Sequence, residues 1–375
     1  MISPRKFVET LREMQMDFFV GVPDSLLKPL CAYLTDSLPE ERNIIAANEG
    51  AAVGLAAGHY LATGNAGVVY MQNSGLGNVV NPLMSLTDRD VYHIPLLLLI
   101  GWRGEPGVKD EPQHVKQGKV TLSLLEAMGI KYKVLSQMEE TAMEELQEAR
   151  RYMDETHEAF ALVIRKGTFE EYKLSAPQGQ TCFSLNREEA IQQVVSSMRE
   201  QDVVVSTTGM ISRELFEYRE ALGQGHARDF LTVGSMGHAS QIALGIALEA
   251  KGRRVYCFDG DGATLMHMGS MAIVASMVPE NYVHVVFNNG AHDSVGGQPT
   301  VALGINLPQI ATACGYKHVL SVSDSIELEK ALCELNRLVG PIFLEIRVKK
   351  GARKDLGRPT TTPEENKEAF MSFLK

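Results

Sequence analysis

The sequence predicts an α/β protein made of two doubly wound parallel-sheet domains, and three observations predict it. Short runs rich in Val, Ile, Leu and Phe alternate with helix-length amphipathic stretches along the chain, as parallel strands covered on both faces require. The runs fall into two sets of equal size, separated by a polar stretch. The 375 residues also exceed what one hydrophobic core usually organises.

The strand-like runs of the first half are 18–22, 44–47, 68–71, 96–100, 132–135 and 160–164. Those of the second half are 203–206, 230–233, 255–258, 283–287, 318–321 and 342–348. The last run of the first half stops at Lys166-Gly167, and a mostly polar stretch with Pro177 and Gly179 follows. The expected division is a first domain over 1–167, a linker over 168–185, and a second domain with a C-terminal tail over 186–375.

Composition narrows the class. With 45% hydrophobic and 22% charged residues the chain reads as soluble and globular. A formal net charge of -10 argues against nucleic acid and acidic membranes, which both demand a basic surface. The apolar run 94–100 is too short to cross a bilayer, and the first residues lead into no signal-peptide core, so a cytoplasmic location is expected. Five scattered cysteines lack metal-site or redox spacing and read as reduced.

The densest chemistry lies between Gly260 and Asn289. A buried-looking strand ends in Asp259-Gly260-Asp261-Gly262, followed by an apolar helix expected over about 265–277. In open parallel sheets ligands bind at the carboxyl ends of strands, and the glycines permit close backbone approach by a phosphate. The next strand ends in Asn288-Asn289-Gly290, bringing amide oxygens to the same edge. One carboxylate and one amide suit magnesium, which takes few protein ligands and completes its shell from water and phosphate. Asp and Asn are also ordinary turn residues, and these loops taken alone leave that reading open.

Gly260-Asp261-Gly262, a helix-and-strand spacer and Asn288-Asn289 together resemble the cofactor motif of the thiamine-diphosphate-dependent 2-oxo acid decarboxylases. The resemblance implies the thiamine-diphosphate-binding fold without a middle domain, since only a short linker separates the halves. It implies that Asp261, the Asn289 side chain and the Ala291 carbonyl coordinate Mg2+. Thr208, Gly209, Ser235, Gly260 and Gly262 would line the cofactor, with Met236 beneath its thiazolium ring. Glu49, just beyond the run 44–47 and opening the helix Gly50-Ala51-Ala52-Val53-Gly54, resembles the family's glutamate that engages the aminopyrimidine ring, and Asn78 would join it.

Glu111-Pro112-Gln113-His114, the stretch 289–300 and Leu356-Gly357-Arg358-Pro359-Thr360 look like the branch of that family acting on 3-phosphonopyruvate. The implied reaction is its decarboxylation to phosphonoacetaldehyde, with sulfopyruvate as the alternative substrate and a non-catalytic subunit as a reading of another class. Asp24, His114, His292 and Asp293 are candidates for proton transfer or positioning. Ser25, Ser294, Lys109, Arg353 and Arg358 are candidates for holding a small anionic 2-oxo acid. Asp24 and Ser25 also read as a helix cap ahead of Leu26-Leu27. The resemblance further implies an active site between one chain's first domain and another's second, hence at least a homodimer.

Overall fold

Every predicted run forms a strand, shifted by no more than a few residues at its ends. The computed structural model describes residues 1–175 and 183–375. The middle of the predicted linker, including Pro177, Gly179 and Cys182, lies outside the described residues. The chain divides into two units, Met1–Gln178 and Gly179–Lys375.

In the first unit the strands are β1 (Phe19–Gly21), β2 (Asn43–Ile45), β3 (Gly67–Gln72), β4 (Leu96–Gly101), β5 (Lys131–Val134) and β6 (Phe160–Ile164). They pair in parallel in the order β2-β1-β3-β4-β6-β5. The apolar run of β4 is continuous because both faces are covered: Leu97 and Leu99 enter one core, Leu96, Leu98 and Ile100 the other. The order reverses between β1 and β3, so a crevice is expected at their carboxyl ends. Residues 168–170, placed in the linker from sequence, are stitched to the N-terminus. Ile2 donates to the Thr168 carbonyl at 2.8 Å, and Phe169 packs edge-on against Phe7 with ring centroids 5.2 Å apart.

The second unit contains β7 (Val203–Ser206), β8 (Asp229–Leu231), β9 (Val255–Gly260), β10 (Tyr282–Asn288), a short hairpin of β11 (Ala291–His292) and β12 (Gln298–Pro299), then β13 (His318–Val322) and β14 (Ile342–Arg347). Its six-stranded parallel sheet runs β13-β14-β10-β9-β7-β8 and reverses between β9 and β7. The helix expected over about 265–277 is two helices, Asp261–Met266 and Ser270–Met277. The apolar pattern continues across the break, whereas the backbone leaves helical geometry at His267, with φ -134° and ψ 48°. Helix therefore begins directly at Asp261, with no intervening loop. Among the described residues no helix is long and apolar enough to cross a membrane.

Candidate active site

In the first unit, the chain leaving β2 turns into the helix Glu49–Thr63, whose N-cap Asn48 accepts from the Ala51 N–H at 2.9 Å. Glu49 is only 5% exposed. Asn78 Nδ2 donates to Glu49 Oε2 at 2.6 Å, and a Cβ added to Gly75 would lie 2.6 Å from Glu49 Oε1. The glutamate is thus fixed by one amide and by the absence of a side chain at Gly75. Both belong to the segment leaving β3, a 3-10 turn Asn73–Gly75 running into the helix Leu76–Leu86.

Asp24 is fully buried and accepts from the Leu26 N–H at 2.9 Å and from Gln72 Nε2 at 2.6 Å. It does not cap a helix: the helix starts at Lys28, so Asp24 closes a turn instead. Burial pushes its carboxyl above the ordinary range. Ser25 accepts from Arg103 Nη1 at 2.7 Å, while Arg103 pairs with Asp110 through its Nε at 2.8 Å. His114 lies in the first turn of the helix Pro112–Ala127, buried, its Nδ1 without a hydrogen-bond partner among the described residues. Burial, aided by Arg103, pushes its pKa down to about 4, so near neutral pH the ring is neutral and only weakly basic. Lys109 is exposed.

In the second unit, the chain leaving β9 places Asp261 at the first position of its helix, 3% exposed. Its Oδ2 accepts from the Thr300 hydroxyl. The turn after β10 delivers that threonine, since Thr300 N–H donates to the Gly290 carbonyl at 3.0 Å. Asn289 is set by two bonds: its Nδ2 donates to Asp293 Oδ2 at 2.6 Å and its Oδ1 accepts from the Ala291 N–H at 3.0 Å. Behind it, Asn288 Nδ2 donates to the buried Glu345 at 2.7 Å. Burial raises the Asp261 pKa to about 6, and the neighbouring Asp293 adds to the effect. The groups around this carboxylate are a hydroxyl, backbone N–H groups and a second carboxylate. A buried acid with no cation among these partners, on the same sheet edge as the Asn289 amide, fits a divalent cation with hard-oxygen preference.

The remaining loops of that edge come from β7 and β8. Thr208 Oγ1 accepts from the Gly234 N–H at 3.2 Å, and a Cβ on Gly209 would meet Ser294 Oγ at 2.9 Å. Gly234, Ser235 and Gly237 all have positive φ, 73°, 47° and 84°, a tight turn that presents Met236. A Cβ on Gly262 would lie 3.5 Å from Met236 Cε and 2.8 Å from His292 Cε1. Thr208, Gly209, Met236, Gly262, His292 and Ser294 therefore converge where the strand order reverses. With no Cβ at Gly209 or Gly262, the Ser294 and His292 side chains come close to the main chain there, and backbone bare of side chains is what a diphosphate pressed against it needs. His292 is held down to about 4 by burial, despite Asp293 beside it.

Several features escape sequence reasoning. Arg187, 5% exposed, donates to Glu214 through Nε at 2.8 Å and Nη2 at 2.9 Å, and to Asp293 through Nη1 at 3.1 Å. A buried ion pair therefore anchors Asp293, which in turn holds Asn289. Arg353 is matched by Glu188 at 3.0 Å, Asp355 at 3.2 Å and Glu217, so its charge is already balanced. Arg358 is exposed.

Residues 5–125 match the thiamine pyrophosphate enzyme N-terminal TPP-binding domain, and residues 207–346 the corresponding C-terminal TPP-binding domain. Phosphonopyruvate decarboxylases of Streptomyces viridochromogenes and Streptomyces hygroscopicus are each 33% identical to this chain. They align with 100% of it, and with 95% and 94% of their own lengths. A sulfopyruvate decarboxylase of Methanosarcina acetivorans is 29% identical, over 98% of this chain and 97% of its own. With a parallel-sheet domain of each kind and no domain between them, the chain belongs to the thiamine pyrophosphate enzymes, as one of their thiamine-diphosphate-dependent decarboxylases.

Proposed function

We propose that this enzyme decarboxylates 3-phosphonopyruvate, releasing carbon dioxide and phosphonoacetaldehyde with the carbon–phosphorus bond intact. The observation that carries this reading is the likeness along the whole chain to two phosphonopyruvate decarboxylases, 33% against 29% for the sulfopyruvate enzyme. Sulfopyruvate is the second reading, because sulfonate and phosphonate differ mainly in charge and protonation. Turnover of both acids by purified protein with thiamine diphosphate and Mg2+ separates them. Phosphonopyruvate is expected to react faster, and faster sulfopyruvate turnover overturns the assignment.

When bound, thiamine diphosphate supplies the carbanion chemistry that lets carbon dioxide leave a 2-oxo acid. The chain's own residues hold and tune it. In this reading residues 1–167 engage the pyrimidine end and residues 186–375 the diphosphate end, joined by the stretch 168–185. Asp261, the Asn289 side-chain oxygen and the Ala291 carbonyl hold Mg2+. Thr208, Gly209, Ser235, Gly260 and Gly262 receive the diphosphate, and Met236 supports the thiazolium ring. Glu49 hydrogen-bonds the aminopyrimidine ring, kept in place by Asn78. Supporting this are the burial of Glu49 and the 2.6 Å bond from Asn78. Asn78→Ala is expected to lower kcat/KM about tenfold, the usual weight of one hydrogen bond to a charged group, in steady-state assays with saturating cofactor.

His114, His292 and Asp24 serve proton transfer or substrate positioning; burial keeps both imidazoles neutral near pH 7 and disfavours the ionised form of Asp24. Asp293, bonded to Arg187 and Asn289, positions the cation loop. Ser25 and Ser294 supply hydroxyls toward the substrate. The working assembly is a homodimer or a multiple of it, in the cytoplasm, with each site shared between one chain's first domain and another's second.

A further inference from the structure

A phosphonate needs positive charge nearby, and this chain carries 46 acidic against 36 basic residues, so that charge has to be placed locally. Of the cations singled out from sequence, Arg353 is matched by three carboxylates, and Lys109 and Arg358 are exposed. Arg103 differs from all three. It lies two residues past β4 and is bonded to Ser25 after β1 and Asn73 after β3, the two strands between which the first sheet reverses its order. Its backbone is clamped on both sides by the buried Asn73, which donates to the Arg103 carbonyl at 2.8 Å and accepts from the Arg103 N–H at 3.1 Å. Asn73 opens the short segment whose Gly75 and Asn78 hold Glu49. One turn of chain therefore fixes both this arginine and the glutamate assigned to the cofactor. The Arg103 side chain is 17% exposed, and three of its five N–H groups are committed, two to Asp110 and one to Ser25.

Resting on the phosphonopyruvate reading, we infer that Arg103, with the Ser25 hydroxyl bonded to it, binds the anionic tail of the substrate, and that Asp110 occupies part of the same guanidinium until substrate arrives. A guanidinium fork suits a tetrahedral anion, and one already oriented by its own backbone loses little freedom on binding. The tail does not change during loss of carbon dioxide. Its contacts therefore act equally in ground and transition states, and weigh on KM rather than kcat.

Steady-state kinetics of three variants of the full-length holoenzyme test this. Arg103→Met should raise KM for 3-phosphonopyruvate about 10- to 100-fold with kcat within about threefold, and Arg103→Lys should recover part of the loss. Asp110→Asn removes the same ion pair but frees the guanidinium, so its KM should stay level or fall. If the pair only holds the loop together, Asp110→Asn raises KM as Arg103→Met does, and the inference is overturned; it is equally overturned if Arg103→Met leaves KM within about twofold. Should Arg103→Met fail to fold, Arg103→Lys against Asp110→Asn carries the same contrast of sign. The wild-type preference is read separately. A preference for sulfopyruvate replaces the substrate but leaves Arg103 to be judged on that acid, whereas a preference for an acid with no anionic tail removes both assignments.

Discussion

Replacing Glu49 with Gln is expected to lower kcat about 10³-fold while cofactor affinity changes by no more than about tenfold. The variant is nearly isosteric, and its amide oxygen can still accept from Asn78, now 2.6 Å from Glu49 Oε2. Packing against Gly75 is also retained. What disappears is a carboxyl group able to hold or release a proton at the aminopyrimidine ring, the type of contribution that typically carries a factor of about 10² to 10⁴. Affinity should survive because the diphosphate and its metal are assigned to loops of the other domain. Steady-state kcat, together with calorimetric titration of thiamine diphosphate, checks both halves. A variant with kcat within tenfold of wild type would remove Glu49 from the cofactor and leave it a helix-start residue that favours the macrodipole.

The strands were legible in the sequence because parallel strands buried on both faces need unbroken apolar runs, and Leu96–Gly101 and Tyr282–Asn288 are buried along their whole length. Glu49, Asp261 and Asn289 stood out as candidates because each follows a strand end, and glycines beside them mark close backbone approach. Residues that act through distant contacts left no such trace. Arg187 opens a well-capped helix and looks like an ordinary surface residue, yet its partners Glu214 and Asp293 lie 27 and 106 positions away. Arg353 sits in a basic tail, but Glu188, 165 positions earlier, is among the acids that balance it. Thr300 was marked only as the end of the stretch 289–300, since nothing local says that the turn after β10 folds it onto Asp261. The break at His267 was masked for the opposite reason. Apolar spacing continued through it, and Gly269 was the one hint that the helix stops.

Asp261→Asn is expected to raise the dissociation constant for thiamine diphosphate with Mg2+ at least about 10²-fold, and yet to stabilise the protein without ligands. Both outcomes follow from one carboxylate. Its pKa in the folded chain is about 6, against an ordinary 3.8, because burial penalises the ionised form. A raised folded value means that protonation favours the native state. The contribution is therefore complete below about pH 4 and is lost as pH rises through about 6, a cost on the order of 3 kcal/mol near neutrality. Asparagine carries no charge and avoids that cost, so the ligand-free variant should melt higher than wild type near pH 7.5 and no higher near pH 4. A bound cation does for the wild type what the substitution does for the variant. Adding Mg2+ and thiamine diphosphate should raise the wild-type Tm more near pH 7.5, where Asp261 is ionised, than near pH 5, where it is mostly protonated. Asp261→Asn should show almost none of that rise. Thermal melts of both proteins across this pH range, with and without the ligands, provide the check. A variant whose Tm climbs with Mg2+ and cofactor as steeply as that of the wild type would place the cation on other oxygens, and the raised pKa would then describe only a buried turn.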